Sequence, residues 1–233
     1  MTSNNASLVA IVPAAGVGSR MGADIPKQYL KLNERTILEH TLDRLLTVEG
    51  VESVIVAISE QDQWFDTLPM AKDPRVLRVS GGKERADSVL NGLKRAIEIK
   101  ADMALVHDAA RPCVLNQDIA ALIEHVGNAA DGGLLAVPVR DTMKRSAPDG
   151  TVAHTVDRER LWHALTPQLF PCQTLYDAIA AALAAEIQVT DEASAMEWAG
   201  YHPKLVAGCD SNIKVTRPGD LKLAAFFLQE ETL

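Results

Sequence analysis

Cysteine, aromatic side chains, positive charge and long apolar runs are all in short supply in this chain of 233 residues. Its three cysteines, Cys113, Cys172 and Cys209, are odd in number, far apart and in no metal-ligand spacing. They supply neither a disulfide framework nor a zinc site. No apolar run approaches the roughly 18–20 residues that a membrane span needs. The opening "MTSNNAS" has neither the basic start nor the apolar stretch of a secretory signal. A reduced, soluble, cytoplasmic protein is the expectation. Lys and Arg number 23 against 31 Asp and Glu, a formal charge of −8. Broad nucleic-acid binding asks for a net basic surface, so no nucleic acid is expected as a partner. A small anionic ligand stays open, because a local cluster of Lys and Arg can dominate its own pocket.

Apolar residues make up 47% of the chain, and a chain this long buries about 70–75% of its unfolded surface in one core. Staples and metals are not needed for folding. Short apolar runs at 8–13, 53–58, 75–80, 102–108 and 132–139 read as buried strands. Helical patterns lie between them. Thr36 and Glu39 form a capping box ahead of Leu38, Leu42, Leu45 and Leu46. The apolar face repeats in 84–99 and in 116–126. This strand–helix alternation implies a parallel sheet covered by helices on both sides. Ligands of such α/β folds bind at the carboxyl ends of the strands, where residues 14–27 and 107–112 fall.

The order changes at 140–156, "RDTMKRSAPDGTVAHTV", two strand-like runs around the turn signal Ala-Pro-Asp-Gly. The ribbon has little apolar face, and a two-stranded hairpin is marginal alone. It either lies as a flap on its own subunit or exchanges with a second one. Helices follow at 172–185 and about 191–199, a strand near 204–207, and a last helix from Pro218, a first-turn proline. One domain over 1–233, with an arm at about 138–158, is the expected organisation.

"VPAAGVGSRMGADIPKQYL", residues 12–30, carries the strongest chemical signal. The dinucleotide fingerprint G-x-G-x-x-G fails at Met21, and so does the P-loop, whose lysine would not follow Pro26. What remains is a loop in which Ala14, Ala15, Gly16 and Gly18 let backbone N–H groups approach an anion. Arg20 offers phosphate a two-toothed contact and Lys27 a point charge. Asp108 ends an apolar run, with Arg111 three residues on. An Asp at a strand's carboxyl end suits Mg²⁺ beside phosphates; capping the next helix is its alternative. His107 reads as a structural imidazole. Two more polar clusters, with Arg158 and Thr166 in 155–168 and with Asp210, Lys214 and Arg217 in 208–221, are ordinary solvated faces by default.

Together "PAAGVGSRM", "PKQYL", "GGKERADSVLNGL", "VHDAARP", "VDRERLWHALTPQ", "TDEASAMEWAG" and "DSNIKVTRP" resemble the 2-C-methyl-D-erythritol 4-phosphate cytidylyltransferase family, in order from about residue 8 to 230. The resemblance implies a three-layer, Rossmann-like nucleotidyltransferase fold with a mostly parallel sheet and a projecting β-hairpin arm. It implies transfer of a cytidylyl group from CTP to 2-C-methyl-D-erythritol 4-phosphate, with release of pyrophosphate, in the non-mevalonate isoprenoid precursor pathway. Under it, Ala14, Ala15, Gly16 and Gly18 wrap the CTP phosphates and ribose, and Gly82 and Ser88 contact base and ribose. Arg20 and Lys27 stabilise the transition state, and Asp108 holds Mg²⁺. Arg111, Thr142, Thr166 and Asp210 hold the acceptor, with Arg158 and Lys214 aiming its phosphate. Thr142 and Arg158 lie on or beside an arm that reaches a partner's site, so a homodimer is implied. A ribitol 5-phosphate cytidylyltransferase shares fold, nucleotide and arm. A non-catalytic nucleotide-binding regulator is the alternative from another class.

Overall fold

The computed structural model describes residues 6–16 and 25–230. Gly18 and Arg20 therefore lie outside the described residues. The apolar runs become strands β1 (Leu8–Pro13), β4 (Val51–Ile58), β5 (Val76–Ser80), β6 (Met103–Val106) and β7 (Gly133–Pro138). A small hairpin, β2 (Lys31–Leu32) with β3 (Arg35–Thr36), leads into α1 (Ile37–Leu46). The capping box forms as the sequence expects: the Thr36 Oγ1 accepts from the Glu39 N–H, and the Glu39 carboxylate accepts from the Thr36 N–H.

Beyond the strands, α2 (Arg85–Glu98) and α3 (Asn116–Val126) fall where the periodicity puts them, as do α4 (Cys172–Ala184), α5 (Glu192–Trp198) and α6 (Pro218–Glu230). The seven-stranded sheet has the order β11-β7-β10-β6-β1-β4-β5, with β10 at Trp162–Pro171 and β11 at Lys204–Ala207. β10 alone runs against its neighbours, pairing antiparallel with both β6 and β7. It is the main departure from the parallel sheet that the sequence implies. Pro167 and a bulge between Ala164 and Gln168 interrupt its pattern, which is where a strand tolerates a proline.

Two apolar layers cover the sheet, and alternation along β1 separates them. Leu8, Ala10 and Val12 face α1 and α3, packing with Leu38, Leu42, Ile119 and Leu122. Val9 and Ile11 face α2, α4 and α5, packing with Val89, Leu93, Ile179 and Met196. With helices on both faces, β1 has no solvent side, hence its unbroken apolar run. Among the described residues no helix is long and apolar enough to cross a membrane.

The ribbon forms as a separate two-stranded sheet, β8 (Met143–Ser146) against β9 (Val152–Val156). Almost all of it is exposed, and Val152 keeps 62% of its surface.

Candidate functional site

Loops leaving the carboxyl ends of β1, β5 and β6 meet the 209–215 segment around a cavity of about 310 Å³. Each wall is fastened by hydrogen bonds to backbone groups. The Ala14 N–H continues the β1–β4 pairing by donating to the Ala57 carbonyl at 2.9 Å. The buried Gln28 amide donates to the Ala14 carbonyl at 2.7 Å. Gly81 donates to the Ile58 carbonyl at 2.7 Å. Gly82 is closed in by α2: a Cβ there would stand 2.0 Å from the Asp87 Cβ, so only glycine fits without a shift of backbone. The Ser88 hydroxyl accepts from the Gly82 N–H at 3.0 Å and donates to the Glu84 carbonyl at 3.2 Å, holding the turn between β5 and α2.

Asp108, 6% exposed, stands at the centre of the charges. Its Oδ1 takes a hydrogen bond from Arg85 Nε at 3.0 Å. Its Oδ2 takes Lys214 Nζ at 2.8 Å and Arg111 Nε at 3.3 Å. Burial by itself would raise this carboxyl, but Arg85, Lys214 and Arg111 outweigh it and hold Asp108 well below the ordinary carboxylate range. Arg85 has a second anion: its Nη1 and Nη2 grip Glu192 at 2.6 and 3.1 Å, and Glu192 is 1% exposed. Burial works against the Arg85 charge, yet Glu192 and Asp108 lift it above the ordinary guanidinium value.

Neutral groups brace the Asp108 backbone. The Asp108 N–H donates to Thr166 Oγ1 at 3.1 Å. His107 bonds the Arg111 carbonyl through Nε2 at 3.1 Å and Thr166 Oγ1 through Nδ1 at 3.0 Å. A carbonyl only accepts, so Nε2 carries the proton and the Thr166 hydroxyl donates to Nδ1. Burial drives the His107 pKa down to about 4, and the imidazole stays neutral as a structural brace. Asp108 itself caps no helix: α3 begins eight residues on, at Asn116.

The structure brings together Ala14, Ala15, Gly16, Lys27, Gly82, Ser88, Asp108 and Lys214 as cavity lining. Lys27 Nζ donates to the Val215 carbonyl at 3.1 Å, tying the first loop to the last. Arg111 and Thr166 stand behind Asp108. Thr142, Arg158 and Asp210 are not in this lining. All three are exposed; Asp210 pairs with Arg140 at 2.7 Å, and Arg158 donates to the Arg140 carbonyl. Sequence reasoning missed Arg85, Glu192 and Gln28. Arg85 and Glu192 stand in segments read as motifs, but helical periodicity marks apolar faces and gives no sign that a charge at a helix's first position is buried.

As a metal ligand, Asp108 is a lone carboxylate. Among the described residues no group of three or more His, Cys, Asp or Glu is placed to hold an ion. One carboxylate is nonetheless what Mg²⁺ uses when phosphates and water supply its other oxygens. The donor set fits an ion that arrives on phosphates.

Glycine-lined backbone and a surplus of cations, Lys27, Lys83, Arg85 and Lys214 against Glu84 and Asp108, define an α/β protein built to hold phosphates at the carboxyl ends of its strands. Residues 8–230 match the sequence model of the family described as 2-C-methyl-D-erythritol 4-phosphate cytidylyltransferase, and the chain belongs to that family. It is 57% identical over 233 residues to the protein of that name from Vibrio vulnificus (strain CMCP6), covering 99% of this chain and 98% of that one. The Shewanella amazonensis protein of the same name is 58% identical over 230 residues, covering 99% and 97%. Two solved structures are similar throughout. A 4-diphosphocytidyl-2C-methyl-D-erythritol synthase superposes with a TM-score of 0.83 at 40% identity, covering 96% of this chain and 99% of that one. The Francisella tularensis 2-C-methyl-D-erythritol 4-phosphate cytidylyltransferase gives 0.81 at 37% identity, covering 95% and 99%.

Proposed function

We propose that this chain transfers the cytidylyl group of CTP to 2-C-methyl-D-erythritol 4-phosphate and releases pyrophosphate, in non-mevalonate isoprenoid precursor synthesis. The observation that carries the reading is the cavity's charge: in a chain of −8, cations gather on one glycine-lined pocket. An oxygen of the acceptor phosphate bonds to the α-phosphorus of CTP. The bond from that phosphorus to the β-phosphate oxygen breaks, and pyrophosphate leaves with the electron pair. The attacking oxygen is already ionised at neutral pH, so no general base is required. The barrier is the meeting of two polyanions, and fixed positive charge with exact placement lowers it.

In this reading the backbone of Ala14, Ala15 and Gly16 cradles the triphosphate, continued through Gly18, and Gly82 and Ser88 shape the cytidine end. Lys27, with Arg20, meets the charge growing on the leaving phosphates. Asp108 would hold Mg²⁺, which when bound screens and templates the phosphates. Lys214, paired with Asp108 and lining the cavity, would turn to the acceptor phosphate. Arg111, Thr166 and Asp210 complete the acceptor side. Thr142 and Arg158, flanking the β8–β9 ribbon, come from a second copy; the exposed, weakly apolar ribbon supports a homodimer with composite sites. We place the enzyme in the cytoplasm. Pyrophosphate release with CTP and Mg²⁺ tests the whole: strong preference for methylerythritol 4-phosphate over ribitol 5-phosphate is expected. Preference for ribitol 5-phosphate would move the enzyme to another pathway, and silence with both would make the chain a nucleotide-binding regulator.

A further inference from the structure

We propose that Glu192 is a positioning residue that acts through Arg85 to fix the plane of the Asp108 carboxylate. The proposal rests on the reading of Asp108 as the carboxylate that would hold Mg²⁺ beside the substrate phosphates. A guanidinium has one end with two parallel N–H bonds and one side with its Nε–H, in a rigid plane. Here Glu192 occupies the end, at 2.6 and 3.1 Å, and Asp108 Oδ1 meets the Nε side at 3.0 Å. With the end clamped, Arg85 has no freedom to swing, and Oδ1 inherits a fixed direction. Among the described residues Oδ1 has no other ion pair, whereas Oδ2 is shared by Lys214 and Arg111. When Lys214 leaves for a substrate phosphate, Arg85 and Arg111 keep the carboxylate oriented.

Glu192 is itself anchored far from solvent. It opens α5 directly after Asp191, whose carboxylate accepts the Ser194 N–H at 2.9 Å. The buried Gln168 fastens the same turn: its Nε2 donates to Asp191 at 2.9 Å, and its Oε1 accepts the Ala193 N–H at 2.8 Å. Gln168 sits two residues after Thr166, which binds the Asp108 backbone. The two ends of Asp108, its N–H and its Oδ1, are thus referred to one stretch of β10 and the helix it pins. A purely structural bridge between α2 and α5 would need only the Arg85–Glu192 contact; the shared Nε bond to the pocket carboxylate is what adds a role in the reaction.

Stability and turnover separate the two roles. Arg85→Gln strands the buried Glu192 carboxylate, and Glu192→Gln takes the clamp from the end of Arg85, so both properties should fall. The double variant, Arg85→Gln with Glu192→Gln, replaces the ion pair by a neutral amide pair. Its melting temperature should return toward that of the wild type while kcat stays at least tenfold down. Recovery of kcat together with melting temperature would overturn the proposal. Arg85→Lys keeps the charge beside Glu192 but loses the fork, and decides the matter if the double variant does not fold. A kcat at least tenfold low at near-normal melting temperature is expected, and wild-type kcat would refute the relay. A wild-type protein silent with CTP and methylerythritol 4-phosphate would refute the reading of the site, a result distinct from active wild type with fully active variants.

Discussion

The pocket at the strand ends and the β8–β9 ribbon hold the same kinds of residue and treat them oppositely. In and behind the pocket, Asp108, Glu192, Arg85 and Arg111 are largely withdrawn from water, and each charge has a named partner within 3.3 Å. On the ribbon and its flanks, Arg140, Thr142, Lys144, Arg145 and Arg158 are exposed or nearly so. Contacts such as Lys144 Nζ to Thr155 Oγ1, 2.7 Å, stay within the ribbon. A desolvated charge is costly to misplace and so is fixed in direction; a solvated one is cheap to move. Fixed direction is what transition-state stabilisation needs. Freedom to reorient is what an arm needs if it is to meet a second copy.

The largest effects should come from breaking the pocket's anion. Asp108→Asn removes the charge shared by Arg85, Arg111 and Lys214, and turnover should fall by about 10³ or more in a pyrophosphate-release assay, beyond the cost of a single lost donor. Lys27→Ala should cost about 10²–10³ in kcat, roughly 3–4 kcal/mol; near-normal turnover would remove its assigned role. Lys214→Ala should act on the acceptor. Its KM should rise about tenfold, roughly 1.4 kcal/mol, with CTP affinity little changed, and a selective loss of CTP binding would count against the assignment.

Acid should reach the pocket's scaffold before its charges. His107 has a folded-state pKa of about 4 against an ordinary 6.5, so the unfolded chain binds its proton first. Stability from the neutral imidazole is complete above pH 6.5 and drains away as pH falls toward 4. Asp108, depressed far lower, keeps its contribution through that window. Melting temperature followed from pH 7 to 4 should decline in the wild type, with a shallower slope in His107→Gln. The smallest effect on folding should come from the ribbon. Val152→Asp should change monomer stability by no more than about 0.5 kcal/mol, yet shift sedimentation from dimer to monomer if the arm carries the interface.

The same contrast decides what the sequence discloses. Strands buried on both faces write themselves as apolar runs, and α1 announces its start through Thr36 and Glu39. Ala14–Gly16, Lys27 and Asp108 are legible because small residues and charges follow such runs directly. β10 is not legible, since Thr166, Pro167 and Gln168 break both its alternation and its pairing. Nor is the Arg85–Glu192 grip: its partners are 107 residues apart, and only the packing of α2 and α5 around the sheet brings them together. Single-chain pattern reading sees which faces are apolar, whereas buried ion pairs depend on which faces meet.

The direct test of this division of labour is calorimetric titration of CTP with Mg²⁺ into the wild type, Gly82→Val and an arm variant, Val152→Asp. Gly82 has no room for a side chain against Asp87, so its substitution distorts the β5–α2 turn that lines the pocket. One CTP per chain is expected for the wild type, with affinity lost in Gly82→Val and retained in Val152→Asp. CTP binding that survives Gly82→Val but vanishes with Val152→Asp would contradict the placement of the nucleotide in the strand-end pocket.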